Sequence, residues 1–377
     1  MNRPQPDDTT GTVAAYPRRA GASEHEIASQ EALALRIAAL LGRRFVPDFR
    51  PTRNRGEPAP YYVPDRSITS VARATKLGIA RAADLFGGVT PHAFVATKSI
   101  THGVVDAQAR FPQGWARSLA GELEGAVLRG YTAFAPDDAQ RAGERLLQDG
   151  AIRLKPADAT AGRGQIVVRN AQELRTALAV QDAAAMRRLG LVLEEDLAEI
   201  CTYSVGWVRV GKLEASYVGT QALTPDNNGI PVYGGSRLMF ARGGFDALRA
   251  LNLSEEQRQA VDLSCRYDAA VSTAYPDFFA SRRNYDVGIG RNARGEARAG
   301  VLEQSWRAGG ASIAELAALQ AFMLSPSLKS VSAFTRERYG TEEPAPTSEQ
   351  YVYRGEDSAV GMITKSGGIL EEEDGRI

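Results

Sequence analysis

Apolar residues recur at helical spacing near the start of the chain, and the residues around them mark where the helix begins and ends. Ser23-Glu24-His25-Glu26 matches a capping box, Ile27, Leu33, Ile37, Leu40 and Leu41 follow at helical intervals, and Gly42 supplies the stop. Thr12 to Tyr16 reads as a strand ahead of this helix. A polar, proline-bearing stretch from Pro47 to Pro60 leads to a second strand at Tyr61-Tyr62-Val63, and a further helix runs to Leu77 and Gly78. Strand, helix, strand predicts a small parallel-sheet α/β lobe over residues 1–90, with a connecting segment over 91–127.

The pattern then changes. Pro136-Asp137-Asp138 opens a helix with acids in its first turn, Leu146-Leu147 lie on its apolar face and Gly150 closes it. An apolar strand ending in Lys155, a loop of small residues with Gly162 and Gly164, a strand from Gln165 to Val168, a helix from Asn170 to near Leu189 and an apolar strand from Gly190 to Leu197 follow. This order predicts a small α+β lid over 128–197. A larger α+β body over 198–377 takes the rest: strands at Tyr203–Val210 and Leu213–Thr220, a helix from Ser254 towards Tyr275, two short strands at Tyr285–Ile289 and Ala299–Gln304, a helix from Ser312 to Phe322, and an acidic tail, Glu371 to Ile377, expected to be mobile.

Candidate chemistry sits where this pattern is interrupted. Glycines let backbone N–H groups approach phosphate oxygens, and a lysine beside them adds a point charge, so Lys155 with Gly162, Arg163 and Gly164 suits the phosphates of a nucleotide. It is not a Walker loop, because the lysine precedes the glycines and lies on a strand. An ordinary β-hairpin with a solvated tip has the same pattern. Gly190-Leu-Val-Leu-Glu-Glu-Asp-Leu197 turns abruptly acidic and could hold a nucleobase against its apolar side chains while the backbone from Glu194 to Leu197 reads the base edge. Asp286 and Glu303, on strands flanking a turn-rich connection, would lie side by side and offer the paired carboxylates that Mg²⁺ takes beside phosphate oxygens. In the glycine-rich stretch Tyr217 to Gly244, Gln221, Tyr233, Ser236 and Arg242 either line a substrate wall or belong to a surface loop turning at Asp226-Asn227-Asn228-Gly229.

Composition narrows the class. The 377 residues include 45 basic and 45 acidic side chains, so no net field draws the chain to nucleic acid or anionic lipid. No run approaches the roughly 18 apolar residues of a membrane span, and the polar start has no apolar signal core, which together point to the cytoplasm. Cys201 and Cys265 stand apart and read as buried thiols rather than as a zinc site or disulfide. Of three histidines, His25 at a helix start reads as solvated, while His92 and His102 flank Lys98, and His102 is a candidate contact to phosphate or substrate. Trp306 reads as core. The basic cluster Ser281-Arg282-Arg283 either counters the nearby carboxylates or binds an anionic substrate group, with Arg283 the preferred candidate. The chain has only six lysines, Lys98 and Lys155 among them.

These parts, in this order, resemble the ATP-grasp superfamily. Its first phosphate lysine corresponds to Lys98 in Ala-Thr-Lys-Ser-Ile-Thr, its second to Lys155-Pro156, its adenine hinge to Glu194-Glu195, and its metal and phosphate constellation to Asp286 and Glu303-Gln304-Ser305-Trp306-Arg307, with Gly309-Gly310 opening the next helix. The whole chain is most similar to an uncharacterised bacterial family with ATKxITH and LEQSWRxGGAS motifs. Two positions depart from the superfamily: Ser305 stands where an asparagine is usual, and the ribose-binding acid falls near Thr202, with Glu199 the nearest carboxylate.

The resemblance implies ATP and Mg²⁺ as cofactors, with Lys98, Lys155, Gly162, Arg163, Gly164, Glu194, Glu195, Leu197 and Glu199 around the nucleotide. It assigns Asp286, Glu303 and Ser305 to the metal, and Lys98, Lys155 and Arg307 to the chemistry, to which the basic cluster adds Arg283. It implies a ligase that activates a small-molecule carboxylate as an acyl phosphate for an amine or thiol, and a homodimer is compatible with it. A small-molecule kinase and a non-catalytic nucleotide-binding module stand as alternatives.

Overall fold

An eight-stranded sheet forms the body of the molecule in a computed structural model that describes residues 11–51, 58–159, 164–340 and 350–370. Its strands run in the order Ala297–Ser305, Arg282–Arg291, Ala198–Val210, Leu213–Pro225, Pro231–Arg242, Ser330–Tyr339, Gly361–Ile369 and Gln350–Asp357, and every neighbouring pair is antiparallel. Side chains alternate between the two faces. Val205, Val218, Tyr285, Val287 and Val301 pack on the helix Glu255–Ala274, while Val208, Tyr217, Leu238 and Phe240 pack on the helices Glu24–Leu41 and Ser312–Leu324. The second face is apolar at one end only; further along it becomes polar, and that is where the candidate site lies.

The lid is a four-stranded antiparallel sheet, Gly130–Ala133, Leu191–Glu195, Ile152–Pro156 and Ile166–Val168, backed by the helices Pro136–Leu146 and Ala171–Ala179. Leu154, Leu191 and Leu193 face those helices, so the alternate residues Lys155, Val192 and Glu194 face the body. Three parallel strands, Arg44–Val46, Thr12–Ala14 and Tyr61–Tyr62, make the N-terminal sheet. Its helix begins at the expected capping box and ends with Gly42 at φ 63°, a left-handed conformation that favours glycine.

Several expectations are corrected. The helix expected from Asn170 to Leu189 is two, Ala171–Ala179 and Ala183–Leu189, because Asp182 caps a new start through the N–H groups of Ala184 and Ala185. Tyr217 to Gly244 is not a loop but most of a long hairpin turning at Asp226 to Gly229, with Gly219 and Gly235 lying within its paired strands. The strands Ser330–Tyr339, Gln350–Asp357 and Gly361–Ile369 had no counterpart in the sequence reading. His25 is not solvated: its Nδ1 lies 2.8 Å from Asp357 Oδ2, which also accepts the His25 backbone N–H. Cys201 is exposed rather than buried. The acidic tail lies outside the described residues.

Candidate functional site

The hairpin Arg282–Ser305 brings the two acids together. Asn284 is paired with Ser305 and Asp286 with Glu303, and a bulge follows Asp286, so a strand period of two puts Asn284 and Asp286 on the polar face and sends Arg283 and Tyr285 to the other. Asp286 Oδ1 accepts from Gln221 Nε2 at 2.7 Å and Asn284 Nδ2 at 3.2 Å. Burial, and after it the charge of Glu303, pushes the Asp286 carboxyl up to about 7. Glu303 is held differently, in an ion pair with Lys98 Nζ at 2.9 Å.

Lys98 lies in a short turn, Lys98–Thr101, whose side chains are all buried. Its ammonium also donates to the carbonyl of Ala159 at 2.8 Å, at the edge of the glycine loop. The turn joins lid to body. Ser99 donates to Leu189 O, Thr132 donates to Ser99 O, and Gln304, next to Glu303, donates to Thr97 O at 2.6 Å. On the lid, Lys155 is ion-paired with Glu194, whose other oxygen lies 3.1 Å from His102 Nε2. Burial raises the Glu194 carboxyl, but the Lys155 charge and the His102 contact outweigh it, and the net shift is downward. His102 is 3% exposed and engages the Glu194 carboxylate. Gly164 is left-handed at φ 70°; Gly162 and Arg163 lie outside the described residues.

The hinge is corrected in detail. The N–H groups of Glu195 and Asp196 are engaged by the carbonyls of Arg129 and Ala151, and the side chain of Glu195 accepts from the Arg129 N–H, which moves any base-reading edge towards Leu197. Leu197 is buried, and Glu199, at φ 52°, directs an exposed carboxylate to Arg291 at 3.6 Å. Beside them lies an apolar floor that the sequence reading missed. A Cβ on Gly288 would meet Ile200 Cδ1 at 2.9 Å and Leu302 Cδ1 at 3.1 Å, so the two side chains close over the glycine and form a continuous apolar surface. Ile200 is 44% exposed. The available signal was a leucine immediately before Glu303 and an isoleucine at a strand entrance.

At the far end of the same face, Arg282 is fully buried on Glu315, with Nε 2.9 Å from a carboxylate oxygen, and donates to the carbonyls of Ser305 and Arg307. Arg307 donates to Ala308 O at 2.8 Å and, among the described residues, has no carboxylate partner. Burial and then the Arg282 charge lower its pKa. Tyr233 Oη lies 2.7 Å from Ser236 Oγ and 2.9 Å from Thr335 Oγ1, and Gly310 admits the tyrosine ring, which a Cβ would meet at 2.6 Å. Gln221 is paired with Ser236 across the hairpin, so these polar groups adjoin Asp286.

Two sequence-derived residues lie elsewhere. Arg283 is on the opposite face, paired with Asp268 and stacked over Trp207 and Phe278, because it has the wrong strand parity. Arg242 donates to the carbonyls of Phe322, Ser325 and Leu328 and so caps the end of the helix Ser312–Leu324. Trp306 is buried against Phe278, as a core residue.

Residues 13–367 match the family described as a protein of unknown function (DUF3182). No curated protein matches the sequence. Among solved structures, the chain is similar to phosphoribosylamine–glycine ligase from Thermotoga maritima, with a TM-score of 0.53 and 13% identity over 96% of this chain and 93% of that one. It is similar to N5-carboxyaminoimidazole synthetase from Staphylococcus aureus, with a TM-score of 0.53 and 9% identity over 96% and 93%. The biotin carboxylase–β,γ-ATP complex from Campylobacter jejuni gives a TM-score of 0.52 and 11% identity over 97% and 88%. The fold is therefore the ATP-grasp fold, spanning most of the chain.

Proposed function

The chain belongs to the DUF3182 family of proteins of unknown function, and from its own site we propose that it is an ATP-dependent ligase that activates a substrate carboxylate as an acyl phosphate for attack by an amine or thiol. One observation carries the reading: unbalanced negative charge and unbalanced positive charge stand on the same polar face. Asp286, held only by neutral amides, has its carboxyl pushed up to about 7 beside Glu303, while Arg307, half-buried, has no carboxylate partner among the described residues. A divalent cation would balance the first and a phosphoryl group the second.

The donor set fits magnesium. The site offers two carboxylates, Asp286 and Glu303, with the Gln221 and Asn284 amides and the Ser305 hydroxyl beside them. Mg²⁺ accepts one or two carboxylates and completes its octahedron with phosphate oxygens and water. Asp286 and Glu303 would hold it, with the Ser305 hydroxyl on the same face. When bound, it meets the charge that develops on the transferring phosphoryl group.

The chain's own residues do the rest by position and charge. Lys98 and Lys155 meet the phosphates from the body and lid sides, and Arg307 stabilises the group in transfer. The adenine lies on the Ile200–Gly288–Leu302 floor. The hydroxyls of Tyr233, Ser236 and Thr335 orient the acceptor, and lid closure excludes the water that would hydrolyse an acyl phosphate.

The test is phosphate release by the purified chain with Mg·ATP and pools of amino acids and dicarboxylates, alongside calorimetry of ADP on the wild type and Lys155→Ala. Substrate-dependent release of free phosphate supports the ligase, and phosphate left on the acceptor means a kinase. ADP affinity unchanged in Lys155→Ala would refute the phosphate site.

A further inference from the structure

Three buried side chains stand in sequence at the lid: His102, Glu194 and Lys155. Their side chains are 2%, 2% and 5% exposed, and Glu194 stands in the middle, one oxygen on the lysine and the other 3.1 Å from His102 Nε2. The backbone makes room for this. Gly130 is paired with Glu194 on the neighbouring strand, and a Cβ on it would come within 2.8 Å of both Cε1 and Nε2 of His102. The imidazole therefore occupies the volume that any side chain at position 130 would fill. It also closes the turn that carries Lys98 to Glu303, so one short segment touches both phosphate lysines, Lys98 within itself and Lys155 through Glu194.

We propose that His102 is a positioning residue for the nucleotide phosphates: by engaging one oxygen of Glu194 it restricts that carboxylate to a single-oxygen contact with Lys155. The reasoning rests on the nucleotide reading above. A carboxylate with one partner turns freely about its last torsion and can close on an ammonium with both oxygens. With the imidazole on Oε2, only Oε1 remains for the lysine. The ammonium keeps its place and retains donors for a phosphate oxygen, since it has three N–H groups. Glu194 thus aims the charge without cancelling it, and His102 sets Glu194.

The experiment compares ADP with adenosine by calorimetry on the full chain in the presence of Mg²⁺, because only ADP brings phosphates to Lys155. His102→Ala is expected to weaken ADP on the order of tenfold, the scale of a hydrogen bond to a charged group, and to leave adenosine nearly unchanged. His102→Gln, whose amide can donate to the same oxygen, should recover most of the loss. In a Glu194→Gln background the His102→Ala effect should vanish, since the histidine acts only through that carboxylate.

Equal losses for adenosine and ADP, or additive effects of the two substitutions, would overturn the proposal. If His102→Ala does not fold, Glu194→Gln alone decides: it must weaken ADP more than adenosine, and the proposal falls otherwise. Wild-type chain that binds neither compound refutes the nucleotide reading and the proposal together. Wild-type binding that His102→Ala leaves intact refutes only the positioning role.

Discussion

Asp286 and Glu303 face each other across two antiparallel strands, yet only Glu303 has a cation, Lys98, to balance it. The contacts of Asp286 are the amides of Gln221 and Asn284, so its charge is the one the fold tolerates least. Its carboxyl is raised from an ordinary 3.8 to about 7, which means that the native state holds a proton there that the unfolded chain has already lost. The stability this proton contributes is fully present below the ordinary value and disappears as pH rises through about 7. Without metal, Asp286→Asn should therefore be more stable than the wild type at pH 8, by about 1–3 kcal/mol, and differ little from it near pH 4. Urea denaturation at the two pH values measures this; a variant that parallels the wild type at both shows that Asp286 is already balanced.

The same substitution should damage turnover most. If the two acids hold a cation across the phosphates, their contribution is greatest where charge moves, and Asp286→Asn or Glu303→Gln should lower substrate-dependent phosphate release by on the order of 100-fold. ADP affinity should fall less, because the lysines and the apolar floor remain. Ser305→Asn should be tolerated, since Ser305 stands opposite Asn284 on the polar face and the longer amide keeps an oxygen there in place of the hydroxyl. Full activity in Asp286→Asn would remove the metal site from the mechanism.

What the sequence disclosed and what it hid follow from the range of the interactions. The capping box at Ser23, the helix stop at Gly42 and the approach of Asp286 to Glu303 were readable, because each depends on residues close in sequence or on one short hairpin. Strand parity was lost in the same hairpin: Arg282 and Arg283 look alike in sequence, and only pairing decides that Arg282 reaches Glu315 while Arg283 turns to Asp268. Arg242 was misread for a related reason, since the helix end it caps lies 80 residues further along the chain. The C-terminal strands escaped notice because Lys365, Thr364 and Glu337 lie within them, and their partners come from distant segments of one large sheet. His102 looked like a ligand contact beside Lys98; its burial depends on the missing side chain of Gly130.

That dependence gives a prediction that is independent of any activity. Gly130→Ala would place a Cβ 2.8 Å from Leu193 O as well as from the His102 ring. The carbonyl belongs to a paired strand and has little freedom to move, so the ring or the edge strand must shift, at a cost of about 1–3 kcal/mol as for other overpacked sites. Gly121→Ala is the control, because no atom lies within 4 Å of its added Cβ and it occupies a helix, where alanine is favoured. Thermal or urea unfolding should show Gly130→Ala clearly destabilised and Gly121→Ala unchanged or slightly stabilised. If Gly130→Ala matches its control, the imidazole does not pack against that strand, and the alignment of His102, Glu194 and Lys155 loses its structural basis.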